Sequence, residues 1–126
     1  MKPHFPFEKA GREMNYTEAR TWVDDYRKTC STQTHPIYAE GFSKEILMKI
    51  LANDDCQGIR IYHGHEKGEA RLLLVGIDKH GDDMHRSQRG LKDDMPSDDG
   101  SGIFGDGGKC PDECGNRWLL CGSTCP

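Results

Sequence analysis

Long apolar runs are missing from this 126-residue sequence. No stretch approaches the roughly 20 apolar residues that a membrane-spanning helix needs. The first residues, "MKPHFPFEKAGRE", have neither the apolar segment nor the small-residue cleavage site of a secretory signal. We therefore expect no membrane insertion and, by default, a cytoplasmic location, where thiols normally stay reduced.

A surplus of basic residues is missing as well. The chain has 17 Lys and Arg against 21 Asp and Glu, so its net charge is -4. Residues 1–80 are balanced, with 12 residues of each sign, and the negative surplus therefore lies in residues 81–126. Nucleic acid and anionic membranes both bind surfaces with clustered Lys and Arg, so we predict neither as a partner.

Catalytic sequence motifs are the third absence. The sequence contains no P-loop, no dinucleotide-binding fingerprint, no G-x-S-x-G and no H-E-x-x-H. The two cysteines outside the C-terminal tail, Cys30 and Cys56, have no recognisable His and Asn partners for nucleophilic catalysis. These absences favour a protein that is not an enzyme.

Two amphipathic helices are predicted in the first half of the chain. "NYTEARTWVDDYRK" has an apolar stripe at helical spacing and begins with a capping pair, Asn15 and Glu18. "GFSKEILMKILAND" begins at Ser43 as its N-cap. The residues expected to be buried are Ala19, Trp22, Val23 and Tyr26 in the first helix and Ile46, Leu47, Ile50 and Leu51 in the second.

A β-hairpin is predicted after the second helix. "GIRIYHG" alternates as a half-buried strand, "HEKGE" is a turn, and "ARLLLVGID" is a more continuously apolar strand. A short third strand is expected near Met84. The predicted fold class is therefore α+β, with two helices packed on one face of a small antiparallel sheet of two to three strands.

Composition divides the chain into four predicted parts. Residues 1–13 are expected to be a flexible N-terminal extension, and residues 14–86 the α+β domain. Residues 87–108 are rich in Gly and Asp and have almost no apolar periodicity, which predicts an acidic linker. Residues 109–126 form a Cys-rich tail.

Several short motifs in residues 15–84 and 109–115 occur together. They are F-S-K-E-I-L in the second helix, Y-H-G before the turn, L-L-L-V-G-I-D in the second strand, and C-P-D-E-C in the tail. This combination resembles a family of short uncharacterised proteins that is common in Bacteroidota. The resemblance implies the same fold boundaries and no activity, cofactor or catalytic residue. Cys121, Cys125 and the long linker depart from the family's pattern.

Four cysteines of the tail, Cys110, Cys114, Cys121 and Cys125, form two C-x3-C pairs. This spacing permits a structural zinc site, although the six residues between the pairs make a tight loop. It also permits disulfides, and the nested pairing of Cys110 with Cys125 and Cys114 with Cys121 is one of three connectivities. Free thiols are the third alternative. No cofactor is assigned, and zinc is the one that the residues suggest.

Cross-links alone cannot order the tail. Fixing the sixteen residues from Cys110 to Cys125 costs on the order of 24 kcal/mol, at about 1.5 kcal/mol per residue. Two disulfides contribute roughly 2.5 and 3 kcal/mol. Trp118, Leu119 and Leu120 must therefore pack against the body or against a partner.

This energy balance leads to the predicted function: a small non-catalytic protein-binding module. Its cross-linked or metal-bound tail would present Trp118, Leu119 and Leu120 to a protein partner; the oligomeric state is left open. One alternative is a precursor that is cleaved after Gly108 and releases an exported Cys-rich peptide. Gly107 and Gly108 suggest it, because leaders of exported peptides are cleaved after a double glycine. A second alternative is a small zinc or thiol redox protein.

Two histidines on the first strand of the hairpin are a weaker candidate site. His63 and His65 are two residues apart, so they share one face of the strand and could offer two imidazoles to a metal ion. The sequence pattern fixes no third ligand. The simpler interpretation is the solvated end of a strand.

Overall fold

The computed structural model describes residues 7–85 and 100–115. Within these ranges a short 3-10 turn, Phe7–Lys9, precedes two α-helices and five β-strands. The helices are α1 (Tyr16–Thr29) and α2 (Lys44–Leu51), and the strands are β1 (Ala39–Gly41), β2 (Gly58–Glu66), β3 (Glu69–Ile77), β4 (Ile103–Phe104) and β5 (Gly108–Cys110).

The strands form two small antiparallel sheets, which confirms the predicted α+β class. One sheet has three strands in the order β2-β3-β4, and the other pairs β1 with β5. The three-stranded sheet matches the predicted size. The two-stranded sheet was not predicted, because its strands are three residues long and leave no periodic pattern in the sequence.

Both predicted helix caps are present. The Asn15 Oδ1 atom accepts a hydrogen bond from the backbone N–H of Glu18 at 2.8 Å, and the Ser43 Oγ atom accepts one from Ile46 at 3.1 Å. Each cap satisfies one of the backbone donors that the first turn of a helix leaves without a partner. The helix starts could therefore be predicted from local chemistry.

The hairpin of β2 and β3 is the most regular part of the fold. Its nine residue pairs run from Gly58 opposite Ile77 to Glu66 opposite Glu69. The turn between the strands consists of Lys67 and Gly68, both with positive φ (51° and 84°). A type I′ turn needs positive φ at both central residues, and it fixes this register without a bulge.

Helix α2 packs on one face of the hairpin, here named the helix face. The strand residues on this face are Ile59, Ile61, His63 and His65 of β2 and Ala70, Leu72, Leu74 and Gly76 of β3. A methyl group at Gly76 would lie 3.2 Å from a side-chain carbon of Ile50 in α2 and 3.2 Å from the Cys56 sulfur. The lack of a side chain at Gly76 thus lets α2 approach the sheet closely.

The burial predicted for the helices is only partly correct. Ile50 of α2 is buried, whereas Leu51, at the last position of the helix, is exposed. No residue of α1 is buried, and Trp22 is 58% exposed. The apolar stripe of α1 was expected to close against the sheet, but it borders an open groove instead.

The predicted linker is wrong in its last part. Residues 103–104 are β4, which pairs with Leu74 and Val75 of β3, and Gly108 begins β5. The third strand of the larger sheet is thus β4, whereas near Met84 there is a single bridge between Ile77 and Asp83. Residues 87–99 of the predicted linker lie outside the described residues.

The predicted N-terminal extension also contacts the domain. The Arg60 guanidinium of β2 lies over the Phe7 ring, 5.3 Å from its centroid. A side chain at Gly81 would overlap the same ring. Phe7 therefore packs against the folded body, because a cation and a close-fitting turn contact its aromatic ring.

Candidate functional site

An apolar groove of about 690 Å³ lies in the described part of the chain. It lies between the C-terminal half of α1, the segment that leads into β1, and the turn end of the helix face. Residues from all three parts line it, among them Tyr26, Ile37, Tyr38, His63, His65 and Leu72. The volume falls in the range of pockets that hold small ligands or single peptide segments.

Two tyrosines form one wall of the groove. Tyr26 projects from α1, and a hydrogen bond with the buried thiol of Cys30, together with burial, raises the pKa of Tyr26. The Arg27 guanidinium lies 5.5 Å from the centroid of the Tyr38 ring. Neighbouring groups thus restrict the motion of both rings. A partner that binds them therefore causes a smaller loss of side-chain conformational entropy.

Trp22 extends this wall along α1. It lies four residues before Tyr26 and therefore on the same side of the helix. Because both side chains are about half exposed, at 58% and 46%, the apolar surface continues beyond the groove by one helical turn. The surface is thus elongated rather than a closed cavity.

The two histidines line the opposite wall. The hairpin register places His63 opposite Leu72 and His65 opposite Ala70, on one face of the sheet as predicted. Both side chains are exposed. Within residues 7–85 and 100–115, no cluster of three or more His, Cys, Asp or Glu side chains is arranged to hold a metal ion. The weak metal prediction therefore gains no third ligand from these residues.

Two of the residues that line the groove, Glu40 and Arg71, form a buried ion pair. The Glu40 side chain is 1% exposed and the Arg71 side chain 9%. Glu40 Oε2 accepts hydrogen bonds from Arg71 Nη2 at 2.8 Å and from the backbone N–H of Gly107 at 2.9 Å. Its Oε1 atom accepts one from the backbone N–H of Leu72 at 2.9 Å.

The surroundings of Glu40 favour its charged form. Burial by itself raises the pKa of this carboxyl, but the hydrogen bonds from Arg71, Leu72 and Gly107 outweigh burial and hold the pKa below its ordinary value. Glu40 of β1 thus contacts β3 and the segment before β5 at the same time. It joins the two sheets beside the groove.

Sequence reasoning missed this pair. A signal was present, because Arg71 is a charged residue at the start of an apolar strand, and such a residue needs a partner when it is buried. The partner could not be found from the pattern, since Glu40 precedes Arg71 by 31 residues and lies on a three-residue strand. Glu66 and Asp106 also contact the same guanidinium, at 2.9 and 3.4 Å.

The tail cysteines that the structure describes form a local pair. Cys110 and Cys114 are joined as a disulfide, with their Cα atoms 5.1 Å apart, which lies within the range of ordinary disulfides. The nested connectivity is therefore wrong, because it joins Cys110 to Cys125. Cys121, Cys125 and the apolar residues Trp118, Leu119 and Leu120 lie outside the described residues.

A mass measurement can check this disulfide. Trypsin cleaves after Lys109 and Arg117, so residues 110–117 leave the protein as one peptide with two cysteines. We expect this peptide to be two hydrogen atoms lighter without reduction than after reduction. The same peptide linked to the segment that contains Cys121 or Cys125 would contradict the local pairing.

The double glycine lies inside folded structure. Gly108 pairs with Gly41 across the two-stranded sheet, and the N–H of Gly107 is bound to Glu40. Cleavage after Gly108 would cut β5 between its first and second residues. In the precursor alternative, a processing enzyme would first have to open this sheet, since a protease binds its substrate as an unpaired extended segment.

Comparisons with known proteins return no relatives. No protein family, no curated protein and no solved structure matches the chain. The resemblance to the Bacteroidota family therefore stays a prediction. Among the described residues, no helix combines the length and the apolar character that crossing a membrane requires.

Proposed function

We propose that this protein is a small non-catalytic module that binds a protein partner through the groove between α1 and the helix face. One observation supports the proposal most directly. Helix α1 has no buried residue, its Tyr26 lines the groove, and Trp22, on the same side of the helix, is 58% exposed. An amphipathic helix gains most of its stability from burying its apolar side, so we infer that a partner covers it.

The shape of this surface favours a protein segment over a small ligand. The exposed apolar surface of α1 extends from Tyr26 in the groove to Trp22, one helical turn away, so it is longer than one compact molecule. Trp and Tyr are also the residues that most often dominate the binding energy of protein interfaces. The side chain of Tyr26, held by its hydrogen bond with Cys30, is suited to that role.

The Cys-rich tail supplies a second contact in this proposal. Cys110 of β5 lies opposite Ala39 of β1, and Ala39 lines the groove. The described part of the tail therefore begins beside the groove, and Trp118, Leu119 and Leu120 follow it in the sequence. We propose that these three residues contact the same partner.

Photo-crosslinking in the native host tests the proposal. A photoreactive phenylalanine replaces Trp22, and the matched control replaces Leu73, which is also exposed but lies on the opposite face of the sheet. We expect one protein adduct from position 22 and none from position 73. Equal adducts from both positions, or none from position 22, would contradict the proposal.

Once the partner is known, its affinity for variants can be measured by calorimetry. We expect Trp22→Ala to weaken binding by about 30-fold or more, since an interfacial Trp typically contributes about 2 kcal/mol or more. Leu73→Ala should change the affinity less than about twofold. Because Trp22 is exposed, both variants should unfold near the temperature of the wild type.

A further inference from the structure

Strand β2 has an open edge within the part of the chain that the structure describes. It is an outer strand of the three-stranded sheet, and β3 is its only strand partner within the described residues. At nine residues, it is longer than an average strand. Outer strands of this length present a row of backbone donors and acceptors that can pair with another chain.

The contacts of β3 show which groups of β2 face outward. The N–H of Leu72 donates to Glu40, and the C=O of Gly76 accepts from the N–H of Met84, so both point away from β2. Their partners across the hairpin, His63 and Ile59, therefore have backbone groups that point away from β3. By alternation, the outward backbone groups of β2 belong to Ile59, Ile61, His63 and His65.

These outward groups have no hydrogen-bond partner in residues 7–85 and 100–115. The edge also lacks the devices that usually block pairing. It contains no Pro, no Lys and no bulge, and its one basic residue, Arg60, is bound to Asp83 and Gly81. Ile61 is 54% exposed on this strand.

We propose that two copies of this chain associate by antiparallel pairing of their β2 strands. This inference goes beyond the proposed function and does not depend on it. A second copy is the occupant that the edge fits best, because one two-fold contact covers the open edges of both copies at once. The result is a continuous six-stranded sheet.

A two-fold axis at Tyr62 gives this pairing its longest overlap, from Gly58 to Glu66. Ile61 then lies opposite His63 of the other copy, and Ile59 lies opposite His65. All four residues have outward backbone groups, so each of these pairs can form two hydrogen bonds, about eight in total. Arg60 meets Gly64 and Glu66 meets Gly58, so no like charges lie directly opposite.

The oligomeric state in solution tests this proposal. Light scattering or sedimentation is expected to show that the full-length wild type is a dimer. Ile61→Lys places a charge on the paired edge and is expected to give a monomer with an unchanged circular dichroism spectrum, because residue 61 is exposed. The matched control is Ile103→Lys, on the outer strand at the other edge of the sheet, which should remain a dimer.

Hydrogen exchange provides a second measurement on the same samples. The amides of Ile59, Ile61, His63 and His65 are expected to exchange slowly in the wild type and at least tenfold faster in Ile61→Lys. A monomeric wild type, or a dimer that Ile61→Lys leaves intact, would overturn the proposal. Neither result bears on Trp22, so this proposal and the proposed function can fail separately.

Discussion

Replacing Glu40 with glutamine is expected to lower the free energy of unfolding by about 3 to 5 kcal/mol, which is the usual effect of removing one partner from a buried ion pair. Glutamine has nearly the shape of glutamate, so packing changes little. The loss comes from leaving the buried Arg71 charge without its closest carboxylate and from weaker acceptance of the Leu72 and Gly107 amides. Urea denaturation followed by circular dichroism measures it.

The chain offers a matched control for this variant. Glu66 also forms an ion pair with Arg71, at 2.9 Å, but its side chain is 59% exposed. Exposed ion pairs typically contribute less than about 1 kcal/mol, so Glu66→Gln should unfold close to the wild type. If the two variants lost equal stability, Glu40 would not be the residue that joins the two sheets.

The contribution of the Glu40 carboxylate should also be visible in the pH dependence of the free energy of unfolding. The pKa of Glu40 is lower in the folded protein than its ordinary value, which is about 4.3. A lowered carboxyl pKa stabilises the fold above the ordinary value, and this contribution is lost as the pH falls through the folded pKa. The wild type should therefore lose stability below about pH 5 more steeply than Glu40→Gln does.

Local chemistry in the sequence predicted the elements that are held by local interactions. The caps at Asn15 and Ser43 and the hairpin turn at Lys67 and Gly68 depend on residues within a few positions of one another. The alternation of β2 also placed His63 and His65 on one face. Such features follow from backbone geometry and short-range hydrogen bonds, so the sequence pattern was sufficient for them.

Features that depend on distant contacts could not be predicted in the same way. Strand β4 has two residues in a segment rich in Gly and Asp, and it exists because β3 offers a free edge there. The exposed stripe of α1 has the same periodicity as a buried one, so the sequence could not distinguish them. The groove is therefore a product of tertiary packing, and of its lining residues only the two histidines were predicted as a candidate site.

The double glycine gives the second large prediction. A methyl group at Gly107 would overlap the carbonyl oxygen of Gly41 and lie 3.1 Å from a side-chain carbon of Glu40. Gly107→Ala is therefore expected to destabilise the fold by about 1 to 3 kcal/mol, the usual cost of overpacking, because backbone cannot move aside as a flexible side chain can. Thermal unfolding of the full-length protein measures the change.

Gly108→Ala is the matched control, since a methyl group there would meet only Glu113, at 3.4 Å or more, and Gly41 oxygen at 4.0 Å. We expect this variant to unfold within about 0.5 kcal/mol of the wild type, as substitutions away from critical contacts usually do. Equal losses from both variants would mean that the close approach to Gly41 is not what requires glycine at position 107.

The control also tests the precursor alternative: if the chain is cleaved after Gly108 in its host, Gly108→Ala should abolish the truncated product while leaving stability intact. If Gly107 is instead only a packing requirement of the two-stranded sheet, mass spectrometry of the wild type from its host should already find the full-length chain.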